Sequence, residues 1–392
     1  MKLLLTTDAV GGVWQYSLDL ARGLRAHGVE TVLAVMGPPP SPEQRKEAGA
    51  VCAEVIDTGL PLDWLTTSAD EVHAAGHELA RLAADVEADL VQLHAPALAA
   101  LGAEPSSFVP SENEGRGPKL GATLVSTRDE RGRASPFRVP VVAVIHSDVG
   151  TWWAAVRGGD LPEDFRWRAA LVGDGLRAAN LAVAPSHAFA EAVATTYGVR
   201  PNAVHNGRAA FAAPATQRAD HALTAGRLWD AAKDLATFDA AAGLAATPFR
   251  AAGSLQAPHG ERIALRHADA LGPLSEDALA AELADRPVFV STALYEPFGL
   301  AVLEAAQAGC ALVLADTPTF RELWDGAALF VPPRDPAAVA RAVDGLIAEP
   351  ASRHAHGQAA RAQAARYTPE ATAAAMAALY AGLLRPALEA AA

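Results

Sequence analysis

Residues 2–27 read KLLLTTDAVGGVWQYSLDLARGLRAH. The apolar run Lys2–Thr6 reads as a strand, the loop Asp8-Ala9-Val10-Gly11-Gly12-Val13 follows, and Val13–His27 has the spacing of an amphipathic helix. A strand that turns through paired glycines into a helix is the opening unit of a parallel α/β sheet. The same alternation continues outward from it. Glu30–Val35, Val51–Ile56, Leu90–Leu93, the β-branched run Val139–Ile145 and Leu181–Ala184 are strand-like. Ala69–Ala84, Leu161–Ala178 and Ser186–Tyr197 are helical, the last with Ser186 as its N-cap. A second series has strands at Ala222–Thr224, Pro248–Ala251, Pro287–Val290, Ala311–Leu314 and Ala328–Val331. Helical patterns at Lys233–Ala242, Glu276–Ala284, Leu300–Ala308 and Pro336–Ile347 lie between them.

The expected fold class is therefore α/β, with two doubly wound, Rossmann-like domains facing across a cleft. The first covers 1–206 and the second 221–368, with 207–220 as a polar linker. Residues 369–392 read as a helix returning toward the first domain. The length of 392 residues agrees, since domains average roughly 150 residues.

Composition narrows the function. Hydrophobic residues make up 51% and charged residues 20%, enough for a large core and against global disorder. A net charge of −13 gives no global attraction for nucleic acid or anionic lipid. No run approaches the roughly 18 apolar residues of a membrane helix. Leu3–Leu5 is too short for a signal-peptide core. Cys52 and Cys310 are isolated, which excludes a disulfide framework and a paired-cysteine metal site. A cytoplasmic location is expected. Residues 103–138 break the pattern: they are polar, rich in Gly, Pro and Ser, and carry Arg116, Lys119, Arg128, Arg131, Arg133 and Arg138. They read either as a disordered surface insertion or as a flap that binds an acceptor or partner.

Ligands of such folds bind at the carboxyl ends of the strands, so the loops there hold the candidate residues. Gly11-Gly12 admits close approach of a phosphate at a helix N-terminus, or simply makes a tight turn. It is not GxGxxG, which removes the main support for a nicotinamide dinucleotide. His146 follows the strand Val139–Ile145 and faces the cleft, or is a structural histidine. Trp152-Trp153 stacks on a sugar or packs a helix. Gly226-Arg227-Leu228-Trp229-Asp230-Ala231-Ala232-Lys233 brings an Arg fork and a Lys point charge to one anion, or forms a solvated face. The most specific stretch is Tyr295-Glu296-Pro297-Phe298-Gly299-Leu300-Ala301-Val302-Leu303-Glu304-Ala305. Pro297 and Gly299 mark a turn, so the first amides of the next helix point toward a ligand. Glu296 lies in the loop. Glu304 lies on an otherwise apolar helical segment, where a carboxylate is costly without a partner, and ribose hydroxyls would be a fitting one.

EPFGLAVLE at 296–304, an E-x7-E motif, together with GRLWDAAK at 226–233, resembles the retaining GT-B-fold glycosyltransferases of family 4, the group 1 glycosyltransferases. TTDAVGGVWQYSLDLARGL, VAPSHAFAEAV, VHNGR, LGPLSEDALAAEL and FRELWDGAALFVPPRDP extend the resemblance over almost the whole chain. The resemblance implies that the Gly12 backbone, Arg227 and Lys233 hold the diphosphate of a donor. Glu296 would bind hydroxyls of the donor sugar beside the Phe298, Gly299 and Leu300 amides, Glu304 the ribose, and the backbone near Leu274 the base. His146 would lie at the reacting centre. It implies no cofactor and no metal ion, the donor substrate being a nucleoside-diphosphate sugar and protein cations neutralising the leaving diphosphate. The chain departs from the family at Asp234 after Lys233, where Asn is usual. Gly309-Cys310-Ala311-Leu312 replaces Gly-x-Pro-Val, and Arg208 follows Asn206-Gly207 where a small or aliphatic residue is commoner.

The expected function is transfer of a sugar to an acceptor hydroxyl with retention at the anomeric carbon. The partners are a nucleotide-sugar donor and an acceptor that is a carbohydrate, a lipid-linked molecule or another small molecule. Nucleic acid is excluded and peripheral membrane contact is left open. The rival readings are a sugar-nucleotide epimerase on the same fold and a non-catalytic nucleotide-sugar binding module.

Overall fold

The computed structural model describes residues 1–100, 137–210, 219–257, 260 and 262–391. The insertion read at 103–138, apart from its last two residues, and positions 211–218 of the linker lie outside the described residues. The chain divides into two units. The first comprises Met1–Ala154, Gly159–Gly207 and Pro369–Ala392; the second comprises Ala155–Gly158 and Arg208–Thr368.

Along the first part of the chain run β1 (Lys2–Asp8), α1 (Gly12–Leu24), β2 (Glu30–Met36), α2 (Pro42–Val51), β3 (Glu54–Asp57), α3 (Ala69–Asp85) and β4 (Leu90–Leu93). They are followed by β5 (Val141–Val144), α4 (Val149–Val156), α5 (Glu163–Ala178), β6 (Leu181–Ala184), α6 (His187–Tyr197) and β7 (Asn202–Ala203). The seven strands form one parallel sheet in the order β3-β2-β1-β4-β5-β6-β7. Leu3, Leu4 and Leu5 of β1 are wholly buried, as a strand covered on both faces must be. Ser186 caps α6 as expected, accepting from the Phe189 amide at 3.2 Å.

The second unit contains β8 (Ala222–Ala225), α7 (Leu235–Ala242), β9 (Phe249–Ala252), β10 (Asp269–Gly272), α8 (Glu276–Ala284), β11 (Val288–Ser291) and α9 (Leu300–Ala308). It continues with β12 (Ala311–Ala315), α10 (Pro318–Trp324), β13 (Leu329–Val331), α11 (Pro336–Ala348) and α12 (Pro350–Ala364). Its six parallel strands have the order β10-β9-β8-β11-β12-β13. The last helix, α13 (Pro369–Ala391), belongs to the first unit. Ala373, Met376 and Tyr380 join the core formed by β1, β2 and α1. At Gly23 of α1 a Cβ would come within 2.5 Å of the Ala373 Cβ, so the close crossing of α1 and α13 depends on that glycine.

The structure adds elements the sequence pattern does not announce, among them α4, α10 and α12, and differs in two details. The strand read at Val51–Ile56 is Glu54–Asp57, because Val51 still belongs to α2. Only Ala48 of α2 is buried, so no apolar periodicity announces it; its start is fixed by a capping box between Ser41 and Gln44. Arg208, placed in the linker, is buried within the second unit. Among the described residues no helix is long and apolar enough to cross a membrane.

Both strand orders reverse once, at β1/β4 in the first unit and at β8/β11 in the second. Loops leaving the carboxyl ends at such switch points border a crevice. Each unit therefore has one place where residues distant in sequence converge.

Candidate functional site

In the second unit the loops after β8 and β11 are tied together by their backbones. The Leu294 amide donates to the Ala232 carbonyl at 2.8 Å. The Thr292 hydroxyl reaches the carbonyls of Lys233 and Asp234, each at 3.0 Å. Asp230 caps the short 3-10 turn Ala231–Lys233 through the Ala232 amide, and Asp234 leaves that turn with φ +48°. These bonds seat the Lys233 ammonium on the Glu296 carboxylate, the two side chains being 22% and 17% exposed. The sequence motifs thus meet in space as an ion pair.

Gly299 has φ +94°, and a Cβ there would lie 3.2 Å from the Glu296 Cγ. Glycine satisfies both the left-handed turn and the carboxylate beside it. As N-cap of α9 it supplies no side-chain hydrogen bond, so the first turn of that helix presents amides at the partly positive end of its dipole. Phe298 is buried, edge-on to Tyr367 with ring centroids 5.6 Å apart. Leu300 and Leu274 are half-buried against the same core. Arg227 does not join the Lys233–Glu296 pair. It is 62% exposed, 3.7 Å from an Asp230 carboxylate oxygen and 5.9 Å over the Trp229 ring.

Glu304 is buried on α9, and the carboxylate has a protein partner: Arg208 Nε donates to Oε1 at 3.0 Å. The expectation that ribose hydroxyls would be its compensating partner is thereby amended, because the guanidinium already offsets the charge.

In the first unit Gly12 opens α1. The amides of Val10 and Gly11 donate to Asp8 Oδ1 at 2.8 and 3.1 Å, and a Cβ on Gly11 would meet nothing within 4 Å. His146 follows β5. Its ring packs edge-on against Tyr16 at 4.8 Å and His94 at 4.9 Å, while Tyr16 and His94 lie 5.3 Å apart. Burial lowers His146 to about 4, so the imidazole is neutral near pH 7. Its Nε2 has no hydrogen-bond partner among the described residues. Burial, and after it the neighbouring His146, hold His94 well below the ordinary histidine range.

A buried polar relay orients His94. The Tyr380 hydroxyl of α13 donates to Gln92 Oε1, and Gln92 Nε2 lies 2.7 Å from His94 Nε2. An amide nitrogen only donates, so His94 Nε2 accepts and its proton sits on Nδ1, 3.4 Å from Ser17 Oγ. Sequence reasoning missed His94, Gln92, Tyr16 and Tyr380. His94 directly follows β4, so the rule that selected His146 would have found it; Gln92 is the one polar residue in the strand Leu90–Leu93. Nothing local marks Tyr16 or Tyr380. Of Trp152-Trp153, the second ring packs 6.2 Å from Phe165, as in helix packing.

Residues 257–363 match the family model described as Glycosyl transferases group 1. No curated protein matches the sequence. Among solved structures, sucrose-phosphate synthase from Thermosynechococcus elongatus superposes with a TM-score of 0.73 at 18% identity, covering 98% of this chain and 100% of that one. Anabaena HepE in complex with UDP-glucose gives 0.66 at 18% identity over 98% and 100%. A glycosyltransferase from Rickettsia africae gives 0.64 at 12% identity over 98% of each chain. The chain has the GT-B fold of these glycosyltransferases, and the stretch that matches the group 1 model, residues 257–363, lies in its second unit.

Proposed function

We propose that the chain transfers a sugar from a nucleoside-diphosphate sugar to an acceptor hydroxyl with retention at the anomeric carbon. The observation that carries this reading is the Lys233–Glu296 pair beside the uncapped first turn of α9. It offers a cation and helix amides for a diphosphate, next to a carboxylate that accepts from sugar hydroxyls. HepE has been solved with UDP and with UDP-glucose; a donor of that chemical class suits the residues here.

In this reading the bond from the anomeric carbon to the diphosphate oxygen breaks, and the acceptor oxygen bonds to the same face. The acceptor proton passes to the departing phosphate oxygen. Lys233, Arg227 and the α9 amides stabilise the charge that builds on the diphosphate, with no metal ion required. Glu296 holds the sugar hydroxyls and stabilises the positive charge growing at the anomeric carbon. Glu304 binds the ribose and the backbone near Leu274 the base. The role we assign to His146, neutral and with Nε2 unpartnered among the described residues, is a hydrogen bond to substrate.

Incubation with UDP-, GDP- and ADP-sugars and a panel of hydroxyl acceptors, with NMR of the product, tests the reading. Retained anomeric configuration and activity that survives excess EDTA are expected. An inverted product, a metal requirement, or epimerised donor formed without acceptor would overturn it.

A further inference from the structure

Arg208, which departs from the pattern of the family the sequence resembles, has a defined place in the structure. Its side chain is 8% exposed. Nε donates to Glu304 Oε1 at 3.0 Å, and a terminal nitrogen donates to Glu276 Oε1, on the first residue of α8, at 2.7 Å. The backbone is held as well. The Arg208 amide donates to the Tyr367 carbonyl at 3.3 Å, and Gln307 Nε2, three residues beyond Glu304 on α9, donates to the Arg208 carbonyl at 2.7 Å. A guanidinium fixed at both its backbone and its fork is a rigid support.

We infer that Arg208 is a positioning residue for the donor nucleotide, holding the Glu304 carboxylate where it accepts from the ribose hydroxyls. The inference rests on the reading of Glu304 given above. The physical case is one of cost and orientation. Glu304 is flanked by the buried Val302, Leu303, Ala305 and Ala306, and an anion there is disfavoured unless compensated. Arg208 compensates it from the protein side and fixes one carboxylate oxygen. The carboxylate is then held stationary, an acceptor set for two hydroxyls on adjacent carbons. The Arg208–Glu276 pair adds little by itself, since Glu276 is 66% exposed. It anchors the fork at the start of α8, immediately after the Leu274-Ser275 stretch.

The consequence is specificity for a ribonucleotide over its 2′-deoxy counterpart. Calorimetry with UDP, GDP and ADP, each beside its 2′-deoxy form, selects the tightest nucleotide. That pair is then measured on the wild type and on Arg208→Gln, Arg208→Lys, Glu276→Gln and Glu304→Gln. We expect Arg208→Gln to weaken the ribonucleotide about 5- to 20-fold and the deoxynucleotide much less, so that discrimination collapses. Arg208→Lys, which keeps the charge but not the fork, should fall between, and Glu276→Gln should lie within about twofold of wild type. A purely structural role would weaken both nucleotides equally. Equal weakening, no change, or tighter ribonucleotide binding in Arg208→Gln overturns the proposal. If Arg208→Gln fails to fold, Arg208→Lys decides by the same ratio. Glu304→Gln separates the two levels. Unchanged discrimination there removes the ribose reading itself, whereas discrimination lost in Glu304→Gln but kept in both Arg208 variants removes only the positioning role.

Discussion

At the carboxyl end of the second unit's sheet the candidate site is made of charge. Lys233 sits on Glu296, Arg208 on Glu304, and the uncapped α9 adds its dipole. The candidate cluster at the carboxyl end of the first unit's own sheet is made of neutral rings instead. Tyr16, His94 and His146 pack edge to face, and a glutamine and a tyrosine fix one tautomer. The difference suits a division of labour in the proposed reaction. A diphosphate needs cations and amides in place before it arrives, whereas an acceptor and a sugar carry no charge and need shape and hydrogen bonds. Substitutions on the charged side should register in nucleotide binding, and substitutions on the neutral side should not.

The largest effect is expected for Lys233→Ala. It removes a charge-assisted contact worth roughly 1.5–3 kcal/mol, a 10- to 100-fold loss of nucleoside diphosphate affinity. It also leaves Glu296 without its counter-ion beside incoming phosphate. Together these should lower kcat/KM at least about 100-fold. Calorimetry with the diphosphate and with the plain nucleoside checks the source, since the nucleoside should bind nearly as before. Equal loss for both would show that the variant has disturbed the loop rather than the diphosphate site.

Glu296→Gln should act next most strongly and on a different constant. In the proposed reaction its carboxylate meets the positive charge that grows as the anomeric bond breaks, so it should be felt more in turnover than in ground-state binding. A fall in kcat of about tenfold or more is expected, with nucleoside diphosphate affinity changed by less than about threefold. Steady-state kinetics with binding measured in parallel tests this. A change confined to affinity would move Glu296 from the sugar to the nucleotide.

These two residues also show how far the sequence could be read. The alternation of strands and helices gave the centre of both sheets, because β1, β5, β11 and β12 carry apolar runs buried on two faces. Among the elements it missed are α2, whose start is set by a capping box, and β10, a half-exposed edge strand without an apolar run. In the site, Glu296 and Lys233 were legible since each lies in a short loop between recognisable elements. Arg208 was visible only as an unusual residue, because its meeting with Glu304 spans 96 positions. Tyr380 and Gln92 are 288 positions apart, and only the return of α13 brings them together.

The neutral side makes a prediction in pH. His146 is lowered to about 4 by burial, against about 6.5 for an exposed histidine. Between those values the unfolded chain binds the proton and the folded one does not. Stability from this group is therefore complete above about pH 6.5 and lost as pH falls toward 4, by at most about 1.4 kcal/mol per pH unit. His94, in contact with His146 and lowered in the same direction, adds to it. Urea unfolding of wild type and His146→Gln across pH 4–7 isolates the effect from that of the carboxylates. The variant should lose less stability on acidification, and a difference that stays constant with pH would mean that His146 is not held neutral by the fold.

The smallest effect is expected for Tyr380→Phe, and it probes the link between the relay and the rings. The substitution keeps the packing of a fully buried ring and removes one hydroxyl, which leaves Gln92 Oε1 without that donor inside the core. An unsatisfied buried acceptor costs about 1–3 kcal/mol, and relaxation of the amide should keep the cost near the lower end. In a unit of this size that is a fall in Tm of about 2–4 °C per kcal/mol. The more telling result concerns Gln92. Freed from Tyr380, its amide can turn over, presenting oxygen instead of nitrogen to His94 Nε2 and drawing the proton from Nδ1 to Nε2. NMR of the histidine ring nitrogens should show that tautomer change in Tyr380→Phe, with nucleoside diphosphate affinity unaltered. If the tautomer stays on Nδ1 while stability falls, the hydroxyl supports the core alone, and the relay ends at Gln92.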